Sequence, residues 1–192
     1  LASTVSQGGG ESDDISRNVM DALRFDMDLT GRFTMLDTSQ ARGASGIRPG
    51  TFEMAPWRAV GAEYLVKSGY LLDGEGAILE FRLYDVINGR QVLAKRYSGK
   101  RKDARRMAHA FSDEILLLLT REKGPFTGKI AFVSKRSGNK EIYLMDYDGH
   151  NVQRLSANGS INLNPDFSPN GREIIYTSYK KGKPDLYRRD LF

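Results

Sequence analysis

An internal repeat in the last third of the chain constrains the fold more than any other feature of the sequence. Residues 130–134 (Ile-Ala-Phe-Val-Ser) match residues 174–178 (Ile-Ile-Tyr-Thr-Ser) 44 positions later. The same offset relates four further pairs of identical or similar residues: Gly138 and Gly182, Glu141 and Asp185, Tyr143 and Tyr187, and Asp146 and Asp190. Each copy predicts a strand, a turn that contains glycine, and a second strand. A period of this length with several strands in each unit is typical of β-propeller blades.

The order of the predicted strands indicates two incomplete blades. The last three strands of a first blade are predicted at residues 129–134, 141–146 and 151–156, and the first three of a second blade at 164–167, 173–178 and 185–190. A closed propeller typically has four to eight blades. The chain is therefore predicted to contain about one and a half blades of a longer, all-β propeller.

The first half of the chain has a different pattern. A loop is predicted up to residue 11, and a helix from Ser12, whose hydroxyl can cap the free backbone donors. An apolar stripe at helical spacing supports this helix, which Gly31 is expected to end: Ile15, Val19, Ala22 and Leu23. A short strand is predicted at 33–36, an irregular connection at 37–52 and one helical turn at 57–60.

Three strands and a second helix complete this part. Strands are predicted at 64–72, 77–86 and 91–98, with Asn88 and Gly89 forming a tight hairpin turn. An amphipathic pattern predicts a helix over 103–120, and Gly124 followed by Pro125 ends it. Two helices on one face of an antiparallel-rich mixed sheet form an α+β domain. The predicted domains are thus 1–124 (α+β) and 128–192 (partial propeller), and the large side chains expected in the first core are Trp57, Phe81, Tyr84 and Phe111.

Several motifs resemble the TolB family of the Tol–Pal system. The pattern Arg105-x-x-Ala108-His109-x-x-Ser112-Asp113-Glu114 is similar to the end of the family's amino-terminal domain. The segments 146–149 (Asp-Tyr-Asp-Gly) and 164–171 (Asn-Pro-Asp-Phe-Ser-Pro-Asn-Gly) resemble its blade motifs. The resemblance covers about residues 13–192. The blade motif alone also occurs in the propellers of some serine peptidases, and a peptidase gating domain is therefore the alternative interpretation.

The resemblance implies a function and its partners. Family members are non-enzymatic periplasmic scaffolds that link TolA to the lipoprotein Pal, support outer-membrane integrity and envelope constriction in cell division, and serve in colicin import. The family's export signal, TolA-binding segment and first apolar strand would precede residue 1 of this chain. The blades on which Pal docks would follow residue 192. We therefore expect Pal and TolA as the partners of the family, and their binding sites largely outside this chain.

The sequence assigns no catalytic, cofactor-binding or metal-ligating residue. His109 has Asp113 one helical turn later, which could orient an imidazole as a base, but a surface or partly buried ion pair is the preferred interpretation. No serine lies in a Gly-x-Ser-x-Gly motif. Asp146-x-Asp148-Gly149 begins like a calcium loop but lacks the later glutamate, so a hairpin turn is preferred. With no cysteine in the chain, thiolate metal sites are excluded. We predict that the protein is not an enzyme and has no cofactor, while its partner-binding residues stay unknown.

The net charge of +5 raises the question of anionic partners. The densest basic cluster adjoins a predicted helix and includes Lys100, Arg101, Lys102, Arg105 and Arg106. The preferred interpretation is that these side chains form a solvated surface. Because no nucleic-acid-binding motif accompanies the cluster, nucleic acid is not an expected partner, and RNA binding is only a third interpretation. The longest apolar run, 115–119, is too short to span a membrane, so any membrane association is peripheral. Unpaired blade edges predict a homodimer.

Overall fold

The structure, a computed structural model, describes residues 2–5, 12–37 and 46–191. The chain divides into two compact units, Leu1–Thr127 and Gly128–Phe192. Along the amino-terminal unit the elements are β1 (Ala2–Val5), α1 (Ser12–Leu29), α2 (Ala55–Ala59), β2 (Tyr64–Asp73), β3 (Gly76–Asp85), β4 (Arg90–Lys100), a 3-10 turn (Arg101–Asp103) and α3 (Ala104–Thr120). The carboxy-terminal unit contains β5 (Lys129–Ser137), β6 (Asn139–Asp146), β7 (Gln153–Arg154), β8 (Asn162–Phe167), β9 (Glu173–Ser178) and β10 (Asp185–Asp190).

The amino-terminal unit is built on a mixed four-stranded sheet in the order β1-β2-β3-β4. β1 pairs in parallel with β2, and the other pairs are antiparallel. The predicted hairpin turn at residues 88–89 is confirmed: Gly89 has φ +66, and Asn88 donates its backbone N–H to Asp85 Oδ1 at 2.9 Å. Asn88 and Gly89 therefore set the register between β3 and β4.

Helices α1 and α3 pack against each other and against the strands. The apolar stripe of α1 is buried as predicted, and so are the residues of α3 that face the sheet. Phe111 of α3 stacks on Phe81 of β3, with ring centroids 4.9 Å apart. A second apolar cluster surrounds Trp57 and Tyr84, where residues before β2 pack against the strands. All four large side chains predicted for the core are buried: Trp57, Phe81, Tyr84 and Phe111.

Two predictions for the amino-terminal unit are wrong. Residues 33–36 form no strand, and the sheet β1-β2-β3-β4 does not include them. The loop prediction is wrong at Ala2–Val5, which forms β1. This strand pairs in parallel with β2, with Ala2 opposite Leu65 and Val5 opposite Ser68. Residues 6–11 and 38–45, parts of two predicted loops, lie outside the described residues.

The carboxy-terminal unit consists of two three-stranded antiparallel sheets, β5-β6-β7 and β8-β9-β10. The sequence repeat relates β5 to β9 and β6 to β10, so the first sheet lacks a counterpart of β8 and the second lacks a counterpart of β7. Gly138 and Gly182, which the repeat places at equivalent hairpin tips, both have positive φ (+100 and +84). The predicted fold, an α+β unit followed by partial propeller blades, is confirmed.

Four blade strands differ from their predicted bounds. β5 extends to Ser137 and β6 begins at Asn139, so both strands continue further into their hairpin than predicted. β7 covers only Gln153–Arg154, since Leu155 and Ser156 both donate their backbone N–H groups to the carbonyl of Ile142. β8 begins at Asn162, two residues early, and its register with β9 shifts between Leu163 and Asp166. That irregularity contains Pro165, which has no N–H to donate, so a bulge accommodates it within the strand. The two sheets share an apolar core that includes Ile142, Leu144, Leu155, Ile174 and Tyr176.

Candidate functional site

The candidate base His109 lies in the interior of the amino-terminal unit. It is 2% exposed, and its Nδ1 lies 2.9 and 2.8 Å from the two carboxylate oxygens of Asp26, which is fully buried on α1. The predicted partner was Asp113, so the predicted i,i+4 ion pair is wrong. Asp26 could have been found from the sequence, since it follows Ala22 by one helical turn on the apolar stripe of α1.

The electrostatics of this pair are those of a buried structural contact. Burial raises the pKa of Asp26 above its ordinary value of 3.8, and the hydrogen bond with His109 offsets part of that effect. A base must reach the proton that it abstracts. An imidazole enclosed by packing and directed at a buried carboxylate holds α1 and α3 together, and solvent has almost no access to it.

Asp113 is used instead to fix the chain that follows α3. Its Oδ1 accepts the N–H of Phe126 at 2.9 Å, and its Oδ2 accepts the N–H and the hydroxyl of Thr127 at 3.2 and 2.8 Å. The carboxylate of Asp113 thus satisfies two backbone donors and ties residues 126 and 127 to α3.

The segment that begins like a calcium loop is a turn between β6 and β7. Lys129 donates to Asp146 Oδ1, and Asn151 donates to Asp146 Oδ2 at 2.5 Å. Asp148 Oδ1 accepts the N–H of His150 at 3.1 Å, and His150 Nδ1 lies 3.2 Å from Asp148 Oδ2. Across residues 12–37 and 46–191, no three His, Asp or Glu side chains come together in a group that could hold a metal ion.

The basic cluster of the amino-terminal unit covers the 3-10 turn and the start of α3. Lys102 and Arg106 are exposed, while Arg105 donates to the carbonyl of Asn18 on α1 at 3.4 Å. Asp103 accepts the N–H of Lys100 at 3.2 Å. The side chains in this cluster therefore divide between solvent and structural contacts.

A buried carboxylate organises the carboxy-terminal unit. Glu141 is fully buried at the start of β6 and accepts hydrogen bonds from Arg154 (3.0 Å), the Ser156 hydroxyl, the backbone of Asn158 (3.2 Å) and Gly159 (3.1 Å), and Asn162 Nδ2 (2.9 Å). We call these six residues the Glu141 network. Burial raises the pKa of Glu141, but the hydrogen bonds outweigh it and the pKa lies below its ordinary value. The sequence placed Glu141 in the repeat without indicating its burial.

Both blade hairpins carry a cation over an aromatic ring. In the first hairpin Arg136 lies 5.4 Å from the ring centroid of Phe132 and 5.0 Å from that of Tyr143. In the second, Lys180 lies 3.8 Å from the ring of Tyr187. Arg136 and Lys180 are separated by the same 44 residues as the other repeated positions. The repeat could therefore have been used to predict that these two cations are equivalent. Each contact stabilises a hairpin tip by about 0.5–1 kcal/mol.

Pockets occur in the amino-terminal unit. One of about 520 Å³ lies where α1 and α3 end, and it is lined by Arg32, Phe33, Thr34, Leu36, Gly61, Glu63, Tyr64, Leu119 and Thr120. At its rim Arg32 forms an ion pair with Glu122 at 2.5 Å. This lining combines apolar side chains with charged and hydroxyl groups, and includes neither of the two histidines.

Two family models match the chain, one over each part. The model described as the TolB amino-terminal domain matches residues 1–92, and the model described as the TolB β-propeller domain matches residues 117–192. None of the helices in the described part of the chain has the length and apolar character needed to cross a membrane.

Curated relatives and a solved structure agree with these matches. The chain is 58% identical to the Tol-Pal system protein TolB of Geobacter sulfurreducens and 59% identical to that of Geobacter metallireducens, in both cases over 87% of this chain and 39% of the relative. The chain thus spans about two fifths of the length of these relatives. The crystal structure of TolB from Acinetobacter baumannii shares the fold, with a TM-score of 0.79 at 24% identity, over 99% of this chain and 46% of that one. On these grounds, the chain belongs to the TolB family.

Proposed function

We propose that the chain acts in the Tol–Pal system as part of a non-catalytic periplasmic scaffold. The observation that carries this proposal is the identity of 58% and 59% with two proteins named for that system. The match of residues 1–92 to an amino-terminal domain favours this role over a peptidase propeller. The proposal divides the chain into domains 1–124 and 128–192.

A non-catalytic role fits the positions of both histidines. His109 is enclosed beside Asp26, and His150 is held in a turn beside Asp148. The surfaces of the two units, rather than a catalytic group, then provide the function.

The finer proposal is that the intact protein links Pal and TolA, maintains the outer membrane, supports envelope constriction during division and is used in colicin import. This chain spans 39% of its relatives. If Pal docks largely on blades outside residues 128–192, the chain alone binds Pal poorly.

Calorimetry with a Pal domain tests this proposal. We expect an intact TolB, such as that of Geobacter sulfurreducens, to bind the Pal domain with at least micromolar affinity, and this chain to bind at least tenfold more weakly, since a tenfold loss corresponds to about 1.4 kcal/mol of missing contacts. Equal affinities would move the contacts into residues 128–192. Failure of the intact protein to bind either Pal or TolA would contradict the scaffold role itself.

We also propose that two copies of the chain associate through the second blade sheet. Ile175, Thr177, Leu186 and Arg188 share the face of β9 and β10 that points away from the apolar core, as their pairing in register requires. Leu186 is 77% exposed on this face. An open strand edge beside exposed apolar side chains favours pairing with another chain.

The variant Leu186→Lys tests this association. We expect light scattering over a concentration series to show a dimer for the parent chain and at least a tenfold weaker association for the variant, because a buried leucine side chain contributes roughly 1.5–3 kcal/mol. Leu71→Lys is the matched control, since Leu71 is similarly exposed in the amino-terminal unit. A parent chain that stays monomeric at high micromolar concentration would rule out the dimer.

A further inference from the structure

The tips of both blade hairpins are strongly basic. The first tip, residues 135–140, contains Lys135, Arg136 and Lys140, and the second, residues 179–184, contains Lys180, Lys181 and Lys183. Neither segment contains an aspartate or glutamate. All these cations except the partly buried Lys140 are exposed.

The Glu141 network holds the two tips at the same end of the unit. Glu141 directly follows the first tip, and Ser178 directly precedes the second. Asn158 contacts both, because its backbone N–H donates to Glu141 Oε1 at 3.2 Å and its Nδ2 donates to Ser178 Oγ at 3.2 Å. The Ser178 hydroxyl also accepts the N–H of Lys180 at 3.4 Å. Six cations are therefore gathered at one end of the two sheets.

An exposed tyrosine and an exposed isoleucine adjoin these cations. Tyr179 opens the second tip and donates its backbone N–H to the carbonyl of Ile161 at 2.9 Å. Ile161 lies in the same β7–β8 connection as Asn158. Both side chains are exposed, so an amphipathic ring and an aliphatic group stand next to the basic tips.

This combination fits a membrane surface better than a protein partner. The centres of protein interfaces are depleted in lysine, whereas five of these six cations are lysines. Each lysine near an anionic bilayer strengthens the attraction between the protein and the membrane surface, and tyrosine is enriched at the interface between lipid and water. We infer that this end, the basic end (Lys135, Arg136, Lys140, Lys180, Lys181 and Lys183, with Tyr179 and Ile161), binds a membrane surface rich in anionic phospholipid. The inference is independent of the proposed binding of Pal and TolA.

Sedimentation with vesicles tests the inference. We expect the chain to bind vesicles with roughly one third phosphatidylglycerol in phosphatidylcholine, and to be released as added salt screens the charges. The double variant Lys181→Gln with Lys183→Gln should weaken binding roughly 30-fold, as two lost cations near the surface predict. Both side chains are exposed and form no hydrogen bond or ion pair with the described residues, so the variant should fold normally, which its melting temperature checks.

The matched control moves the same charge change to the other unit. Lys102→Gln with Arg106→Gln also removes two exposed cations, and it should change vesicle binding less than about twofold. Equal weakening by both double variants would mean that net charge alone attracts the chain, and would overturn the inference. The inference would also be overturned if the chain failed to bind the vesicles but bound a poly-glutamate peptide. That result would mark the basic end as a docking surface for acidic proteins.

A fluorescent residue at the second tip locates the contact. The only tryptophan of the chain, Trp57, is buried in the amino-terminal unit, so Tyr179→Trp adds one exposed reporter. We expect its emission to shift to shorter wavelength on anionic vesicles and to be quenched by brominated lipid. Vesicle binding that leaves this emission unchanged would place the contact elsewhere and contradict the inference.

Discussion

The variant Asp26→Ala is expected to unfold far more easily than the parent chain, with about 3 kcal/mol less free energy of unfolding in the amino-terminal unit. The substitution removes the carboxylate that both faces His109 Nδ1 and joins α1 to α3. It leaves an imidazole in a nearly dry interior where water cannot replace the lost partner. Urea denaturation followed by the fluorescence of Trp57, which is buried in the same unit, measures the loss.

Asp28→Ala is the matched control for this prediction. Asp28 lies two residues further along α1 and is exposed, and a negative charge in the last turn of a helix is not favoured by the helix dipole. We expect its stability to stay within about 0.5 kcal/mol of the parent chain. A similar, small effect of both substitutions would show that the buried pair contributes little to folding.

The variant Glu141→Ala is expected to destabilise the carboxy-terminal unit by a similar amount, about 3 kcal/mol. Its carboxylate accepts hydrogen bonds from two backbone N–H groups and three side chains in the Glu141 network, and all these donors lose their acceptor together. Hydrogen exchange of residues 139–191 measures the effect as lost protection of β6 and β9.

The sequence repeat supplies the control for Glu141. Asp185 occupies the equivalent position in the second blade, 44 residues later, but it is exposed. We expect Asp185→Ala to leave the exchange protection of the unit unchanged to within about 0.5 kcal/mol. If Glu141→Ala is equally harmless, the network does not stabilise the two sheets.

The same two carboxyl groups give opposite dependences on pH. The pKa of Glu141 is lowered from 4.5, so its contribution to stability is present above that pH and is lost as the pH falls through the folded-state value. The pKa of Asp26 is raised from 3.8, so its contribution is largest below that pH and declines as the pH rises through the folded-state value. Acid therefore weakens the contribution of Glu141 and strengthens that of Asp26.

Much of the fold could be predicted because its determinants are local. The 44-residue repeat, the Asn88-Gly89 turn and the apolar stripe of α1 each specify an element from neighbouring residues. β1 could not be found in this way, since Ala-Ser-Thr-Val is short and precedes a glycine-rich segment. Its pairing depends on the free edge of β2, which only the folded sheet defines.

The candidate site was less predictable, because its contacts join distant parts of the chain. Asp113 satisfied the helical spacing with His109, but the true partner, Asp26, is 83 residues away. Glu141 aligned with Asp185 in the repeat, yet one is buried and the other exposed. The spacing of residues along one helix or one repeat does not show which carboxylate is buried. Nor does it show that backbone N–H groups compete with a histidine for the same carboxylate, as they do at Asp113.

The parallel pairing of β1 with β2 sets an order of assembly that runs against the order of synthesis. Ala2 pairs with Leu65, so α1 and α2 must be made before β1 has a partner. The blade hairpins close over turns of a few residues, on a timescale of microseconds, whereas a contact between distant segments must first overcome the entropy of the intervening loop. A chain that emerges amino terminus first therefore presents β1 before the edge that receives it exists, and β1 stays unpaired until β2 has followed and folded.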